Sequence, residues 1–210
     1  MNRLSETAAW LDALYGKCKS EDGDLVIVSS NRRKVVKSLP VGSLVAAAKA
    51  MQKAPGCYLK INLMDYAAMR SRSKYAVGGI TEVKSIVSVH LDVDAGKSNK
   101  YVTRRHALWA MESMPKPPTL VVNSGGSDGG FHAYWILKRA VAVQGIQSRV
   151  QKNLENWNSR LKELCGGKLD KTCNLDRILR CVGVPREDGL EVVCEYYEPS
   201  REYDLDELVV

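Results

Sequence analysis

The sequence predicts a mixed α+β domain. Strand-like apolar runs alternate with helical seams along the chain. The second half reads strand, helix, hairpin, helix, strand, and no repeat, low-complexity tract or linker interrupts the whole. With 210 residues, 45% hydrophobic and 26% charged, the chain suffices for one sizeable domain or two small modules sharing a core.

The elements follow in order. Leu4, Ala8, Leu11 and Leu14 recur at helical spacing, which predicts a first helix over 1–16 with Ser5 as its N-cap. Residues 24–29 read as a strand, followed by a basic turn at Asn31-Arg32-Arg33-Lys34. A helix over 41–53 leads through Pro55-Gly56 into a strand over 57–63. A basic loop then carries Arg70, Arg72, Lys74 and Tyr75. Residues 86–94 form the next strand, and a short helix over 104–114 stops at Pro115. Strands over 119–123 and 131–137 flank a glycine-rich turn. The apolar seam Val143, Ile146, Val150, Leu154, Trp157, Leu161 and Leu164 marks a long helix, and strand-like pieces follow at 178–182 and 191–197. The second half thus has a ferredoxin-type, RRM-like layout. The expected division is one domain over 1–210, with an N-terminal α/β module (about 1–84) packed on an RRM-like catalytic module (85–210) and the cleft between them.

A net charge of +7 favours a polyanionic partner, nucleic acid before acidic lipid. No apolar run approaches the roughly 18–20 residues that cross a bilayer, and the amphipathic N-terminus is not a signal peptide. A cytoplasmic protein with no membrane partner is expected. Six cysteines (18, 57, 165, 173, 181, 194) include no Cys-x-x-Cys pair, so buried thiols rather than a zinc site are expected.

Three segments carry candidate chemistry. In the strand ending Ser88-Val89-His90-Leu91-Asp92-Val93-Asp94, alternation puts Val87, Val89, Leu91 and Val93 on one face. Ser88, His90, Asp92 and Asp94 share the other face, where two carboxylates suit a divalent cation. The segment Ser124-Gly125-Gly126-Ser127-Asp128-Gly129-Gly130-Phe131-His132 offers backbone N–H groups and hydroxyls to an anion, with His132 just beyond. Downstream, Leu169-Asp170 and Asn174-Leu175-Asp176-Arg177-Ile178-Leu179-Arg180 supply a third carboxylate, from Asp170 or Asp176, and a guanidinium suited to phosphate.

Taken in this order, the three segments resemble the motifs of the archaeo-eukaryotic primase (primase-polymerase) superfamily, nearest to the Prim-Pol domains of phage and plasmid replication proteins. The likeness spans residues 55 to 208 and includes the ending Tyr203-Asp204-Leu205-Asp206-Glu207-Leu208. It implies the archaeo-eukaryotic primase fold and a DNA-directed primase or polymerase that uses NTPs or dNTPs with two Mg²⁺ or Mn²⁺ ions. Asp92, Asp94 and Asp170 would be the catalytic, metal-binding carboxylates, with Asp176 a rival for the third. The nucleotide would contact His132, Arg180, Arg177, Ser124, Ser127, Gly129 and Gly130. A single-stranded template and primer would run over Arg70, Arg72, Lys74 and Tyr75, by charge and stacking. Larger relatives continue past this point into a helicase or accessory domain. The glycine loop is longer than usual, and Gly130 stands where many members have Ser. Two other readings stay open: a non-catalytic single-strand-binding initiation module, and a metal-dependent nuclease or sugar-nucleotide transferase.

Overall fold

The computed structural model describes residues 2–96, 102–125, 129–169 and 173–208. Among these, nine strands form one sheet whose ladders are all antiparallel, with six α-helices packed on it. The strands are β1 (Asp24–Val28), β2 (Val35–Pro40), β3 (Tyr58–Lys60), β4 (Leu63–Met64), β5 (Val83–Val93), β6 (Leu120–Asn123), β7 (Phe131–Ala142), β8 (Ile178–Arg180) and β9 (Val193–Tyr197). The helices are α1 (Arg3–Tyr15), α2 (Leu44–Gln52), α3 (Tyr66–Arg72), α4 (Arg104–Glu112), α5 (Gln147–Leu164) and α6 (Leu205–Leu208). The order across the sheet is β8-β3-β1-β4-β5-β7-β6-β9, with β2 paired to β1.

The α+β class is as the sequence predicts. A ferredoxin-type unit would set its fourth strand beside its first. Here the place beside β5 is held by β4, and β8 pairs with β3, Tyr58 facing Arg180. One sheet therefore runs through both halves of the chain.

Two apolar layers cover the sheet. On one face, α4 and α5 pack Ala107, Met111, Leu154, Trp157 and Leu161 against Val89, Leu91, Val93 and Trp135. The Trp135 and Trp157 rings meet edge to face at 4.4 Å, a pairing that adds to their burial. On the other face, α1 and α2 pack Trp10, Leu11, Tyr15 and Met51 against Ile27, Leu59, Tyr134 and Ile136.

Several boundaries differ from expectation. The first helix is capped by Asn2, whose side chain accepts from the Ser5 N–H, not by Ser5. The strand expected over 57–63 is two short strands, split where Asn62 turns its buried amide to Val87 N and Leu175 O. The basic loop around Arg70 is largely helix α3, because Asp65 caps it and Met69 buries beneath it. Helix α5 starts at Gln147, so Val143 and Ile146 precede it. Val87 packs with Tyr134 and Ile136 rather than with Val89. The ladder is irregular there: between Ile86 and Ser88, two steps along β5 correspond to five along β7. Strand β2 has no counterpart in the sequence reading; three of its six residues are exposed and three half-buried, with no alternation. Of the cysteines, Cys57, Cys165, Cys173 and Cys181 are buried, Cys18 is half-buried and Cys194 is exposed. No helix among the described residues is long and apolar enough to cross a membrane.

Candidate active site

The polar end of β5 sets the site. From Ser88 to Val93 the ladder with β7 is regular, so Asp92 stands opposite His132 and His90 opposite Tyr134. All four share the sheet face that Tyr134 and Ile136 fill beneath α1. Toward the ends of β5 and β7 nearest Asp92, that face opens into a cleft of about 380 Å³. It is lined by Asp92, Asp94, His132, Ser124, Gly125 and Gly130, and by Arg177, Arg180, Arg186, Arg32 and Tyr58.

The wall that carries Arg177 is fixed by long-range contacts. The segment before Arg177 is held by Asn62 on Leu175 O at 3.1 Å, Gln151 on Leu175 N at 2.9 Å, and Lys60 on Asp176 O at 2.6 Å. The His90 imidazole meets Asn174 O at 3.3 Å. Arg177 then reaches Asp92, Nη2 to Oδ2, at 2.5 Å. This is a charge-assisted contact between two partly exposed side chains. The other Asp92 oxygen lies 3.7 Å from His132 Nε2.

Burial sets the state of the histidines. Desolvation pushes His132 down to about 4; Asp92 opposes the fall while Arg180 and Arg177 add to it. Desolvation likewise pushes His90 down to about 4. Both rings are neutral at pH 7. The Tyr134 hydroxyl lies 3.4 Å from His132 Nδ1, and burial holds that phenol protonated by raising its pKa well above the ordinary value. A phenol can donate to Nδ1 or accept from it; the Asp92 carboxylate near Nε2 favours the tautomer with the proton there.

The glycine turn is clasped at both ends. Arg186 donates to Ser124 O at 2.6 Å, and Arg104 to Gly129 O at 2.7 Å. The Ser124 hydroxyl donates to Gly130 O at 3.2 Å, and Gly125 N–H to the Asn123 side chain at 3.2 Å. Close backbone approach, rather than positive φ, requires the glycines. A Cβ on Gly130 would sit 2.6 Å from Val93 O, and one on Gly129 would overlap Gly125. That contact accounts for Gly130 where the resemblance expects serine.

The structure thus brings together Asp92, Asp94, His132, Ser124, Gly130, Arg177 and Arg180. Asp170 and Ser127 lie outside the described residues. Gly129 does not line the cleft. Asp176 does not line it either: its carboxylate turns to Lys60, Oδ2 to Nζ at 3.5 Å. Arg70, Arg72, Lys74 and Tyr75 also lie off the cleft lining. Arg72 pairs with Glu82 at 2.8 Å, Arg70 donates to Lys74 O, Lys74 lies over the Tyr75 ring, and Tyr75 is 73% exposed. Of the polar side chains lining the cleft, Arg32, Tyr58 and Arg186 are not among the site residues expected from the sequence. The basic turn at 31–34 was the one signal for the first.

The donor set fits a hard divalent cation. Asp92 and Asp94 supply carboxylate oxygens to the cleft, and no cysteine lines it. Among the described residues no group of three His, Cys, Asp or Glu side chains converges in ligating geometry.

The same architecture occurs in solved structures. The primase-polymerase (PrimPol) AEP domain of cyanophage S-2L superposes with a TM-score of 0.56, covering 98% of this chain and 97% of that one at 16% identity. The catalytic domain of primase RepB′, solved in complex with initiator DNA, gives 0.58 over 97% and 92% at 10% identity. The chain has the primase-polymerase fold. A further structure of primase RepB′ matches with a TM-score of 0.56, and this chain spans 60% of its length. No protein-family model and no curated protein matches the sequence. At these identities the primase-polymerase likeness is one of backbone, and the chemistry must be argued from the cleft.

Proposed function

We propose that the chain is a DNA-directed primase-polymerase that transfers nucleotides to a 3′-hydroxyl on a single-stranded template. The observation that carries this reading is one cleft lined by both two carboxylates and four arginines. Such a lining suits a nucleoside triphosphate, whose reacting phosphorus needs a cation and whose remaining phosphates need fixed positive charge.

Each residue has a role in this reading. Asp92 and Asp94 would hold Mg²⁺ or Mn²⁺, and Asp170 is proposed as the third carboxylate. The bound ions would lower the pKa of the attacking hydroxyl and offset charge on the leaving pyrophosphate. His132, neutral with its proton on Nε2, donates to a phosphate oxygen without adding a full charge. Arg180 grips phosphate bidentately. Arg177 keeps the Asp92 carboxylate oriented along the cleft. The basic α3 segment is proposed as a template contact, and the chain as working beside a helicase in the cytoplasm.

The test is incorporation of labelled NTPs or dNTPs on primed and unprimed single-stranded DNA with Mg²⁺ or Mn²⁺. Product ladders are expected from the wild type, none in EDTA, and none from Asp92→Ala or Asp94→Ala, both remaining folded. Wild-type activity in either variant sinks the reading. Binding of DNA with no incorporation under either metal would instead identify a non-catalytic initiation module.

A further inference from the structure

The turn between β1 and β2 holds a residue in an unfavourable conformation. Arg32 has φ +59°, and no other non-glycine residue among those described has a positive φ. Left-handed backbone costs an ordinary L residue, and glycine or asparagine would take the position more easily. The turn around it is tightly determined. Arg32 N bonds Ser29 O at 2.8 Å, Ser29 N bonds Lys34 O at 2.9 Å, and Asn31 Oδ1 accepts from Ser29 Oγ at 2.7 Å and Arg33 N at 3.1 Å. A bulky residue kept in such a place is a sign of function when its side chain has a destination.

The destination is the cleft. Arg32 Nη2 donates to the Tyr58 hydroxyl at 3.0 Å, with its guanidinium carbon 4.5 Å from the ring centre. The Arg180 guanidinium lies 5.2 Å from the same ring. Tyr58 and Arg180 are register partners on β3 and β8, and Tyr58 faces Val28 at the end of β1. These contacts, with Arg177 and Arg180 three residues apart and Arg177 on Asp92, link the lining in the order Asp92, Arg177, Arg180, Tyr58, Arg32. Asp92 begins this chain of contacts and Arg32 ends it.

We propose that Arg32 binds the terminal phosphate of the nucleoside triphosphate, with Tyr58 as the residue that positions both Arg32 and Arg180. This rests on the nucleotidyl-transfer reading above. If the α-phosphate reacts beside Asp92 and Asp94, the rest of the triphosphate extends along this chain of contacts. The last guanidinium in it meets the farthest phosphate. A cleft of about 380 Å³ has the size of a small-molecule site, which favours a nucleotide over the backbone of a DNA strand.

The experiment titrates tripolyphosphate and pyrophosphate, each with Mg²⁺, into wild type, Arg32→Gly, Arg32→Lys, Tyr58→Phe and Arg180→Gln. It also measures thermal melting, single-stranded DNA affinity and steady-state incorporation. Glycine suits the backbone at position 32, so Arg32→Gly is expected to melt at or above the wild-type temperature. Tripolyphosphate affinity should fall about tenfold, pyrophosphate affinity should change little, and Arg32→Lys should recover part of the loss. KM for the nucleotide should rise by a similar factor with kcat nearly unchanged. Tyr58→Phe should weaken tripolyphosphate less than Arg32→Gly does. Unchanged tripolyphosphate affinity in Arg32→Gly, with a loss in Arg180→Gln, overturns the assignment of Arg32 and leaves the nucleotidyl-transfer reading standing. Loss of DNA affinity alone also overturns it. A wild type that binds neither polyphosphate removes both.

Discussion

Asp176 and Arg177 are neighbours in sequence, yet their ion pairs serve opposite sides of the same strand entry. Arg177 turns into the cleft and meets Asp92 at 2.5 Å. Asp176 turns away and meets Lys60 at 3.5 Å. Lys60 is only 4% exposed, and its ammonium also bonds Gly78 O and Asp176 O. Burial lowers its pKa while Asp176 opposes that fall. One pair is thus wired into a polar cavity with a second carboxylate and a histidine. The other plugs a buried charge beneath the wall. Similar residue chemistry gives a candidate site in one case and scaffolding in the other, and the difference lies in what else faces the pair.

The sharpest way to break this contrast is to neutralise each carboxylate in turn. Asp92→Asn is expected to abolish incorporation with little change in melting. Asp176→Asn should keep incorporation near the wild-type rate but lose roughly 1–3 kcal/mol of stability, because a buried ammonium is left poorly compensated. Parallel incorporation and urea-unfolding measurements check both. Loss of activity without loss of stability in Asp176→Asn would make Asp176 a metal ligand after all.

Next in size is Arg180→Gln, for which kcat/KM should fall about a hundredfold, the cost of removing one donor to developing charge. Equal losses for Arg180→Gln and for an arginine off the cleft would erase the distinction between wall and surface.

Acid should unfold the domain through its histidines. His90 and His132 have folded pKa values of about 4 against 6.5 when unfolded. The unfolded chain therefore binds more protons between those values, and stability is lost as pH falls through that window. The loss is on the order of 3 kcal/mol per histidine at most. A pH series of urea midpoints, with His90→Gln flattening the slope between pH 6.5 and 4, tests it; a slope unchanged by that substitution refutes the burial argument.

The smallest effect belongs to the α3 end. Arg70→Gln with Lys74→Gln should reduce the salt dependence of single-stranded DNA binding by about one to two in log–log slope, and leave kcat intact. An unaltered slope would make these residues solvated surface.

What the sequence disclosed follows from range. Alternation along a strand is local, so the shared face of Asp92 and Asp94 and that of His132 and Tyr134 could be read directly, whereas their meeting needs the pairing of β5 with β7. The α5 seam could be read from Val150 to Leu161, but Leu164 is exposed. Arg32, Tyr58 and Arg186 reach the cleft only through pairings between distant segments, such as β3 with β8, which no local pattern encodes. The role of Asp176 is decided by Lys60, 116 positions away. Arg70 and Arg72 looked like loop because arginine and serine dominate there; the helix signal was Asp65 as a cap, three residues before the Ala68 N–H it accepts from.

The irregularity between Ile86 and Ser88 has a consequence for length. Residues 137–140 of β7 face Val87 alone on β5, three more than the ladder needs. Leu137 is buried and bridged to Tyr203, and Lys138 pairs with Asp204, which leaves Arg139 as the exposed point of this slack. The pairing of Asp92 with His132 is fixed on one side of this slack, and that of Ser85 with Ala142 on the other. Residues added there would lengthen a surface excursion without shifting the register of the cleft. It is where the strand can grow, or carry a probe, while the carboxylates stay in phase with the histidine.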